Sequence, residues 1–208
     1  QRNFKTFHNH PKLRTTNVVY REIKMTQSTF AVTGIASGIG AELARILKVQ
    51  GHSVIGFDIR KTQENVDRFI PLDLNDASSI SAAAAAVDRP LHGLCNNAGL
   101  PPRAGLEEAI LQVNFLGTRA FTDAMLPHLR EGGSIVNMAS RAGHGWREGV
   151  EQVKRLANLK RREQLANFIA SENIDATRCY NLTKEAVILW TVAEAEAMVG
   201  QGLRVNSL

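Results

Sequence analysis

The sequence predicts an α/β fold in which a doubly wound parallel sheet carries helices on both faces. Short apolar strands alternate with helical segments from residue 29 onward, a pattern typical of parallel sheets covered by helices. A glycine-rich turn, Gly34 to Gly40, joins the first strand to the first helix, and polar residues directly follow later strands. Because ligands bind at the carboxyl ends of the strands in such sheets, we expect a site at that edge.

The first strand is predicted at Thr29–Thr33, which holds an apolar run after a polar segment. A helix follows the glycine-rich turn and runs to about Gln50, where Gly51 stops it. The second and third strands are predicted at His52–Ile59 and Phe69–Leu74. The apolar face of the first helix is predicted to consist of Ile39, Leu43, Ile46 and Leu47.

The same alternation continues through the middle of the chain. Asp76 is a suitable N-cap for a helix that contains the alanines at 82–86, the residue with the highest helix propensity. The fourth strand is predicted at Leu91–Cys95, and a long helix covers about Glu107 to Arg130. The fifth strand is predicted at Gly133–Ala139.

An insertion separates the fifth strand from the last helix. Nearly forty residues lie between Ser140 and Tyr180, many more than a strand-to-helix loop normally takes. We predict a helical insertion at about 143–177, whose apolar faces cover the rim of the site or pack against a partner subunit. Those faces hold Val150, Val153 and Leu156 in a first helix and Leu165, Phe168 and Ile169 in a second. Beyond the last helix, Leu203–Leu208 is predicted as a sixth strand, and we expect the sheet to be truncated in or after it.

The composition indicates one soluble globular domain. Of the 208 residues, 44% are hydrophobic and 22% are charged. The longest apolar segment, Ala186 to Ala193, is shorter than the roughly 18 residues that a membrane span needs, so no membrane partner is expected. Cys95 and Cys179 show no disulfide spacing, which favours free thiols and a cytoplasmic location.

The excess of positive charge lies in the first residues. The net charge is +5, but residues 1–24 hold six basic side chains and one acidic one, which leaves 19 of each for the rest. This neutral body argues against a nucleic-acid partner. Solvated helix faces explain the basic residues of the insertion, which are Lys154, Arg155, Lys160, Arg161 and Arg162. His8 and His10 do not amount to a metal site, and no metal is predicted.

Residues 1–24 are predicted to form a disordered tail, because they show neither helical nor alternating periodicity. They also lack the long apolar run of a secretory signal. We hypothesise that Met25 is the native start, so that 1–24 is upstream or added sequence and 25–208 forms the domain. A basic arm that binds an acidic partner is the alternative.

The glycine-rich turn predicts a dinucleotide site. Gly34, Gly38 and Gly40, with Ser37 and Ile39 between them, would let the backbone approach a pyrophosphate at the N-terminus of the next helix. Because glycine-rich turns are common, this spacing alone also fits a plain tight turn.

Asp58 favours NAD as the dinucleotide. It closes the second strand about 20 residues after the turn, where an acid accepts hydrogen bonds from the ribose hydroxyls of adenosine. A carboxylate there would repel a 2′-phosphate, and Ser37 adds no basic group that would attract one. Arg60 is a counterweight, and a surface acid at a strand end is the alternative.

Two further strand ends complete the predicted cofactor site. Asp73 and Leu74 end the third strand and are expected near the adenine, although Asp73 could instead satisfy a turn. Asn97, Ala98 and Gly99 follow the fourth strand and are expected to face the ribose. Taken alone, this segment would be an ordinary turn.

Tyr180 and Lys184 predict redox chemistry at a hydroxyl group. They lie one helical turn apart and therefore share a helix face. A phenol has an unperturbed pKa of about 10 and needs a nearby positive charge to act as a base at neutral pH. Lys184 supplies that charge and would also hold the nicotinamide ribose. Ser140 ends the fifth strand, where its hydroxyl could donate a hydrogen bond to the substrate oxygen.

Together these motifs resemble the short-chain dehydrogenase/reductase family. In the order of that family, the chain carries Thr33-Gly34-x-x-x-Gly38-x-Gly40, Asn96-Asn97-Ala98-Gly99, Asn114, Ser140 and Tyr180-x-x-x-Lys184. The resemblance implies a Rossmann-type sheet, NAD as cofactor, a small-molecule alcohol or carbonyl substrate, and a homodimer or homotetramer. It also implies a catalytic tetrad of Asn114, Ser140, Tyr180 and Lys184, in which Asn114 holds a water that relays protons. Without the resemblance, Asn114 would be an ordinary helix-face residue.

Residues 179–190, Leu126 to Gly132 and the long insertion resemble one branch of that family, which contains coniferyl-alcohol dehydrogenase and 3α-hydroxysteroid dehydrogenase/carbonyl reductase. This resemblance implies an aromatic allylic alcohol or, failing that, a bulky secondary alcohol. An NAD-binding regulator without activity is the alternative of another class. Family members continue past the sixth strand, so we expect the gene to encode more and the 208-residue chain alone to be poorly active.

Overall fold

Strands and helices alternate through the part of the chain that the structure describes. The structure is a computed structural model that describes residues 27–159 and 162–208, so the predicted tail lies outside it. The strands are β1 (Thr29–Thr33), β2 (Ser53–Asp58), β3 (Arg68–Pro71), β4 (Leu91–Asn96), β5 (Leu129–Asn137) and β6 (Arg204–Ser207). The helices are α1 (Gly38–Val49), α2 (Ala77–Ala85), α3 (Glu107–Leu111), α4 (Thr118–Met125), α5 (Val150–Ala157), α6 (Leu165–Glu172) and α7 (Ala176–Gly200).

The six strands form one parallel sheet in the order β3-β2-β1-β4-β5-β6. From β1 the chain builds outward to β3 and then returns to place β4 on the other side, which is the doubly wound topology. The predicted fold class is therefore confirmed. The switch in strand order lies between β1 and β4, and their carboxyl ends carry the glycine-rich turn and Asn97.

The largest differences from the predicted strand boundaries are at the end of β3 and at the start of β5. β3 ends at Pro71 instead of Leu74, and the Leu72 N–H then donates to the Asp58 carbonyl oxygen at 3.1 Å. Leu72 and Leu74 are apolar because they are buried in the main core cluster, and not because they extend the strand. β5 starts at Leu129, since the helix before it stops at a 3₁₀ turn, Leu126–His128, which contains a proline.

The predicted helix from Glu107 to Arg130 is not continuous. A π-helical segment, Gln112–Gly117, separates α3 from α4. Gly117 packs against the Leu74 carbonyl oxygen so closely that a Cβ would overlap it. Asn114 lies inside this segment, and π-helical segments often occur at functional sites.

The apolar face that was predicted for α1 is partly wrong. Ile39 and Ile46 are 64% and 40% exposed, while Gly40, Ala44 and Leu47 form the buried side. Small residues face the sheet because the helix approaches it closely. The hydrophobic periodicity gave too much weight to the large side chains.

The insertion is part of the hydrophobic core. Four of the six residues of its predicted apolar faces are buried, namely Val153 and Leu156 on α5 and Leu165 and Phe168 on α6, while Val150 and Ile169 are half-buried. The buried residues pack inside the chain instead of covering the rim of the site or a partner subunit. They share one cluster with residues of α3 and α7, including Leu182. The insertion is thus packed directly against α7, the helix that carries Tyr180 and Lys184.

A buried polar network ties α7 to the strand ends. The Asn96 Nδ2 group donates to Asn137 Oδ1 and to Thr122 Oγ1, both at 2.8 Å. Asn137 Nδ2 donates to Thr191 Oγ1 at 3.0 Å. The network joins β4, β5, α4 and α7, and so holds the last helix relative to the sheet.

No helix within residues 27–159 and 162–208 is long and apolar enough to cross a membrane.

His92 is expected to make the fold sensitive to acid. Its Nδ1 accepts the Thr29 N–H at 3.0 Å at the start of β1. Burial, with smaller effects of Arg130 and His52, lowers the pKa of His92 below its ordinary 6.5. The neutral ring is therefore the folded form, and its contribution to stability is present above about pH 6.5 and declines as the pH falls through the lowered pKa.

Thermal unfolding at pH 7 and pH 5 tests this expectation against His92→Asn, whose amide oxygen can accept the same N–H without titrating. The wild-type protein should lose more stability between the two pH values than the variant does. Equal losses would show that His92 is not the acid-sensitive group.

Candidate active site

A cleft of about 830 Å³ opens at the carboxyl ends of the strands. It brings together most of the predicted site residues from six separate segments of the chain. Those that line it are Gly34, Ser37, Ile39, Asp58, Asp73, Leu74, Asn97, Ala98, Gly99, Ser140, Tyr180 and Lys184. Gly38, Gly40 and Asn114 do not line the cleft. The contacts of Gly40 and Asn114 shape it indirectly, whereas a Cβ at Gly38 would meet nothing within 4 Å and the position instead has a positive φ of 57°.

The glycine-rich turn is held tightly against β4. Gly34 has φ +71°, and a Cβ there would lie 2.9 Å from the Ala98 Cα and 2.9 Å from the side-chain Nδ2 of Asn97. The Asn97 Nδ2 group donates to the Thr33 carbonyl oxygen at 3.2 Å and so bridges the ends of the two strands. A Cβ at Gly40 would overlap the Gly34 carbonyl oxygen. Gly34 and Gly40 therefore allow the close approach of turn and helix.

The N-terminus of α1 faces this turn. Ser37 is its N-cap residue, but its side chain makes no capping hydrogen bond. The first N–H groups of the helix are thus left without a side-chain acceptor and carry the positive end of the helix dipole. This arrangement suits the negative charge of a pyrophosphate.

Asp58 is fixed at the mouth of the cleft. Its Oδ2 accepts the Ala36 N–H at 3.0 Å, and its Oδ1 accepts the Arg60 N–H at 2.9 Å. The Arg60 guanidinium donates to Ser37 Oγ at 2.8 Å. The predicted ribose acid and its predicted counterweight therefore line the same end of the cleft.

Asp73 lines the cleft but also closes a turn. Its Oδ1 accepts the Asn75 N–H at 2.8 Å, and its own N–H donates to Ser79 Oγ at 2.9 Å. The alternative of a turn-forming Asp73 is thus seen in the structure. Leu74, which follows it, is buried and contributes an apolar wall.

Asn114 supports the cleft from behind. Its Oδ1 accepts the Leu100 N–H at 2.7 Å, and its Nδ2 donates to the Leu100 carbonyl oxygen at 2.9 Å. The side chain is buried, and a Cβ at Gly99 would lie 3.2 Å from Asn114 Oδ1. Asn114 thus holds the loop that follows β4, and its role in holding a relay water stays a prediction.

Lys184 is anchored beside Tyr180 on α7. Its Nζ donates to the Met138 carbonyl oxygen at 2.7 Å and lies 5.7 Å from the centre of the Tyr180 ring. Burial lowers the pKa of Lys184 from its ordinary 10.5 to about 8. The ammonium is thus held in the cleft wall with the phenol beside it.

Ser140 is oriented as a donor. Its Oγ accepts the Ala142 N–H at 3.1 Å, which leaves the hydroxyl hydrogen available. The turn that follows packs closely on α7, since a Cβ at Gly143 would lie 2.9 Å from the Lys184 carbonyl oxygen. Ser140 and Lys184 are therefore positioned by one contact, between the turn that follows Ser140 and α7.

The structure also contains an ion pair on α7 that was missed in the sequence, between the half-buried Arg178 and the buried Glu185. The two residues flank Tyr180 and Lys184 in the sequence. The available signal was a pair of opposite charges seven residues apart, which is two turns of the same predicted helix. Among the described residues, no group of three or more His, Cys, Asp or Glu side chains could hold a metal ion.

Replacing Lys184 by methionine is expected to stabilise the cofactor-free protein at pH 7. Below pH 8 both the folded and the unfolded chain carry the charge, and the folded chain bears the full cost of burying it. A shift of this size, reduced by the lost bond to Met138, corresponds to a gain of about 2 kcal/mol for the variant.

Between pH 8 and pH 10.5 the folded wild-type chain releases its proton first, so its stability rises with pH and the advantage of Lys184→Met shrinks. Urea unfolding at pH 7 and pH 10 measures both effects. A variant that is less stable than the wild type at pH 7 would contradict the expectation.

Comparison with known proteins gives one consistent result. The family model described as short chain dehydrogenase matches residues 28–151. The coniferyl-alcohol dehydrogenase of a Pseudomonas species is 33% identical over 187 residues, which cover 89% of this chain and 73% of that protein. The 3-alpha-hydroxysteroid dehydrogenase/carbonyl reductase of Comamonas testosteroni is 33% identical over 109 residues, or 50% of this chain and 40% of that protein.

A solved structure agrees with these relatives. The 3-alpha-hydroxysteroid dehydrogenase from Pseudomonas sp. B-0831, complexed with NADH, superimposes with a TM-score of 0.72 at 27% identity. The superposition covers 86% of this chain and 70% of that chain.

Proposed function

Because the chain belongs to the short-chain dehydrogenase family, we propose that it uses NAD to interconvert an alcohol and a carbonyl compound, with an aromatic alcohol of the coniferyl type as substrate. One observation carries this proposal. The glycine-rich turn and Asp58 line the same cleft as Ser140, Tyr180 and Lys184, so a cofactor cradle and a proton-transfer group share one space.

The residues present fit a dinucleotide. Gly34 lets the turn lie directly against Asn97 and Ala98, where a Cβ would not fit, and the α1 N-terminus offers N–H groups to a pyrophosphate. Asp58 would accept hydrogen bonds from the adenosine ribose. When bound, NAD supplies the acceptor for the hydride.

The proton chemistry belongs to the chain itself. Tyr180 would take the proton of the substrate hydroxyl, and the Lys184 ammonium beside it would stabilise the phenolate. The free hydroxyl hydrogen of Ser140 would donate to the same substrate oxygen and hold it next to Tyr180. Asn114 would act by fixing the Leu100 backbone, and with it one wall of the cleft.

An apolar wall supports an aromatic or otherwise bulky alcohol. Leu100, Pro101, Ala109 and Val113 line the cleft and offer little to hydrogen-bond a polar substrate body. The most similar relatives reported above act on coniferyl alcohol and on hydroxysteroids, by their names. The hydroxysteroid class is therefore the second candidate.

Turnover of two alcohols by the full-length protein tests the proposal. NADH formation is measured with coniferyl alcohol and with a 3α-hydroxysteroid, and kcat/KM should be higher for coniferyl alcohol. A higher value for the steroid would favour the second candidate. No NADH from either alcohol, in a protein that still binds NADH, would contradict the proposed substrate class.

Asp58 is expected to set the preference for NAD. Its carboxylate would repel the 2′-phosphate of NADP, so Asp58→Asn should raise kcat/KM with NADP relative to NAD by about tenfold. Asp73→Asn is the matched control, because Asp73 lines the cleft as well but closes a turn. Its cofactor ratio should stay close to wild type. An unchanged ratio in Asp58→Asn would remove Asp58 from this role.

We also propose a homodimer or homotetramer in the cytoplasm. Val192 and Val199 lie seven residues apart on one side of α7 and are 64% and 68% exposed, a surface that a second copy could cover. Cys95 and Cys179 are free thiols, which fits a reducing compartment. Light scattering of the full-length protein measures the assembly directly.

A further inference from the structure

A chain of polar contacts joins the back of α7 to the insertion. Arg178 binds Glu185 through two parallel contacts, at 2.5 Å and 2.8 Å. The Arg178 guanidinium also donates to Gln152 Oε1 on α5, at 3.0 Å and 2.5 Å. Gln152 Nε2 then donates to Glu172 on α6 at 3.0 Å, and Glu172 is held by Arg155 at 2.5 Å and 2.8 Å. We call these five residues the brace.

The brace also reaches the segment after Ser140. Gly145 and Gly149 lie against the Glu185 carboxylate, and a Cβ at Gly149 would overlap Glu185 Oε2. The Glu185 side chain is only 4% exposed. One buried carboxylate thus contacts both the loop that leads away from Ser140 and the arginine that precedes Tyr180.

The brace and the catalytic groups occupy different sides of one helix. Arg178 and Glu185 are seven residues apart, which is two turns, and therefore lie on the same side of α7. Tyr180 and Lys184 fall between them in sequence but are rotated away, toward the cleft. Any shift of α7 against the insertion would move the phenol relative to Ser140.

Stability alone gives no reason for such a pair. Burying the Glu185 carboxylate, whose side chain is 4% exposed, costs desolvation energy, while its attraction to Arg178 is weakened by solvent because the Arg178 side chain is 32% exposed. A bidentate arginine–carboxylate contact does, however, fix distance and angle more strictly than apolar packing does. The brace is thus better suited to defining a geometry than to raising stability.

We propose that Arg178 is a positioning residue, which acts through the brace to fix α7 so that Tyr180 is correctly placed for proton transfer. This role rests on the proposed function of Tyr180. The insertion then serves as the fixed support of the catalytic helix. A shift of about 1 Å at a reacting group can lower a rate by about a hundredfold, so a small loosening would be measurable.

The first test does not depend on activity. Cys179 lies between Arg178 and Tyr180 and is fully buried, so it reacts with iodoacetamide only when this part of α7 opens. Arg178→Met should raise the rate of Cys179 alkylation about tenfold or more, as followed by mass spectrometry. Cys95 on β4 is the internal reference, and its rate should not change. Lys154→Ala is the matched control, because the ion pair of Lys154 with Glu151 is exposed on α5 and lies outside the brace.

The second test uses turnover in the full-length protein with coniferyl alcohol and NAD, well below the unfolding temperature of every variant. Arg178→Met should lower kcat about tenfold or more without changing the Kd for NADH, and Arg178→Lys should restore part of the loss. Glu185→Gln keeps the shape of the side chain and should act in the same direction with a smaller effect. If Arg178→Met does not fold, Glu185→Gln is the variant that decides the test.

The outcomes separate this inference from the proposed function. Wild-type kcat and wild-type Cys179 reactivity in Arg178→Met, together with lost turnover in Tyr180→Phe, would overturn the inference alone. Reduced thermal stability with unchanged kcat would show a merely structural brace and would overturn it as well. Wild-type turnover in Tyr180→Phe would overturn the proposed function and this role with it.

Discussion

Tyr180→Phe is expected to lower kcat by about 10² to 10⁴-fold while the Kd for NADH stays within about twofold of wild type. Phenylalanine keeps the ring in the cleft wall and removes only the hydroxyl that would take the substrate proton. The proposed cofactor contacts of Gly34 and Asp58 would not be affected by this change. Steady-state turnover of coniferyl alcohol and fluorescence titration with NADH measure the two quantities.

Thr183→Val is the matched control for this variant. The Thr183 hydroxyl is buried on the same helix and donates to the Tyr180 carbonyl oxygen at 2.7 Å, but it does not line the cleft. Its removal should change kcat by no more than about threefold. Similar losses in both variants would indicate a general disturbance of α7 and would argue against Tyr180 as the base.

Gly40→Ala is expected to destabilise the fold by roughly 3 kcal/mol or more and to abolish NADH binding. A Cβ at this position would overlap the Gly34 carbonyl oxygen, and both partners are backbone, so no side chain can move aside. The turn and α1 would have to separate, which removes the cradle for the pyrophosphate. Urea unfolding and NADH titration report the two effects.

Gly200→Ala is the control for Gly40→Ala. Gly200 ends α7, and a Cβ there would meet nothing within 4 Å. Alanine favours the helix by up to about 1 kcal/mol over glycine, so this variant should be as stable as wild type or slightly more stable. A Gly40→Ala protein that unfolds and binds NADH like Gly200→Ala would show that the close approach at the turn is not required.

The sequence was sufficient to locate the cleft because its signals are local. Gly34 to Gly40 and Asn97 to Gly99 directly follow a strand, and Asp58 is the last residue of one. Parallel strands bring their carboxyl ends to one edge of the sheet. Tyr180 and Lys184 share a helix face through their spacing alone. None of these inferences needed a distance between remote parts of the chain.

The parts that escaped prediction depend on contacts between remote segments. Hydrophobic periodicity placed Ile39 and Ile46 on the buried face of α1, but the sheet approaches the side with the small residues instead. The π-helical segment around Asn114 arises from packing against Leu74 and from hydrogen bonds to Leu100. The brace likewise joins helices that no local pattern connects.

The central claim is that hydride passes between a substrate alcohol and NAD in this cleft. The most direct test is the full-length protein with NAD and coniferyl alcohol deuterated at its carbinol carbon, followed by mass spectrometry of the cofactor. The account predicts that each NADH formed carries one deuterium, and that Tyr180→Phe forms no detectable deuterated NADH. Formation of NADH without deuterium would contradict the account. It would also be contradicted if NAD binds but is reduced by neither this alcohol nor a deuterated 3α-hydroxysteroid.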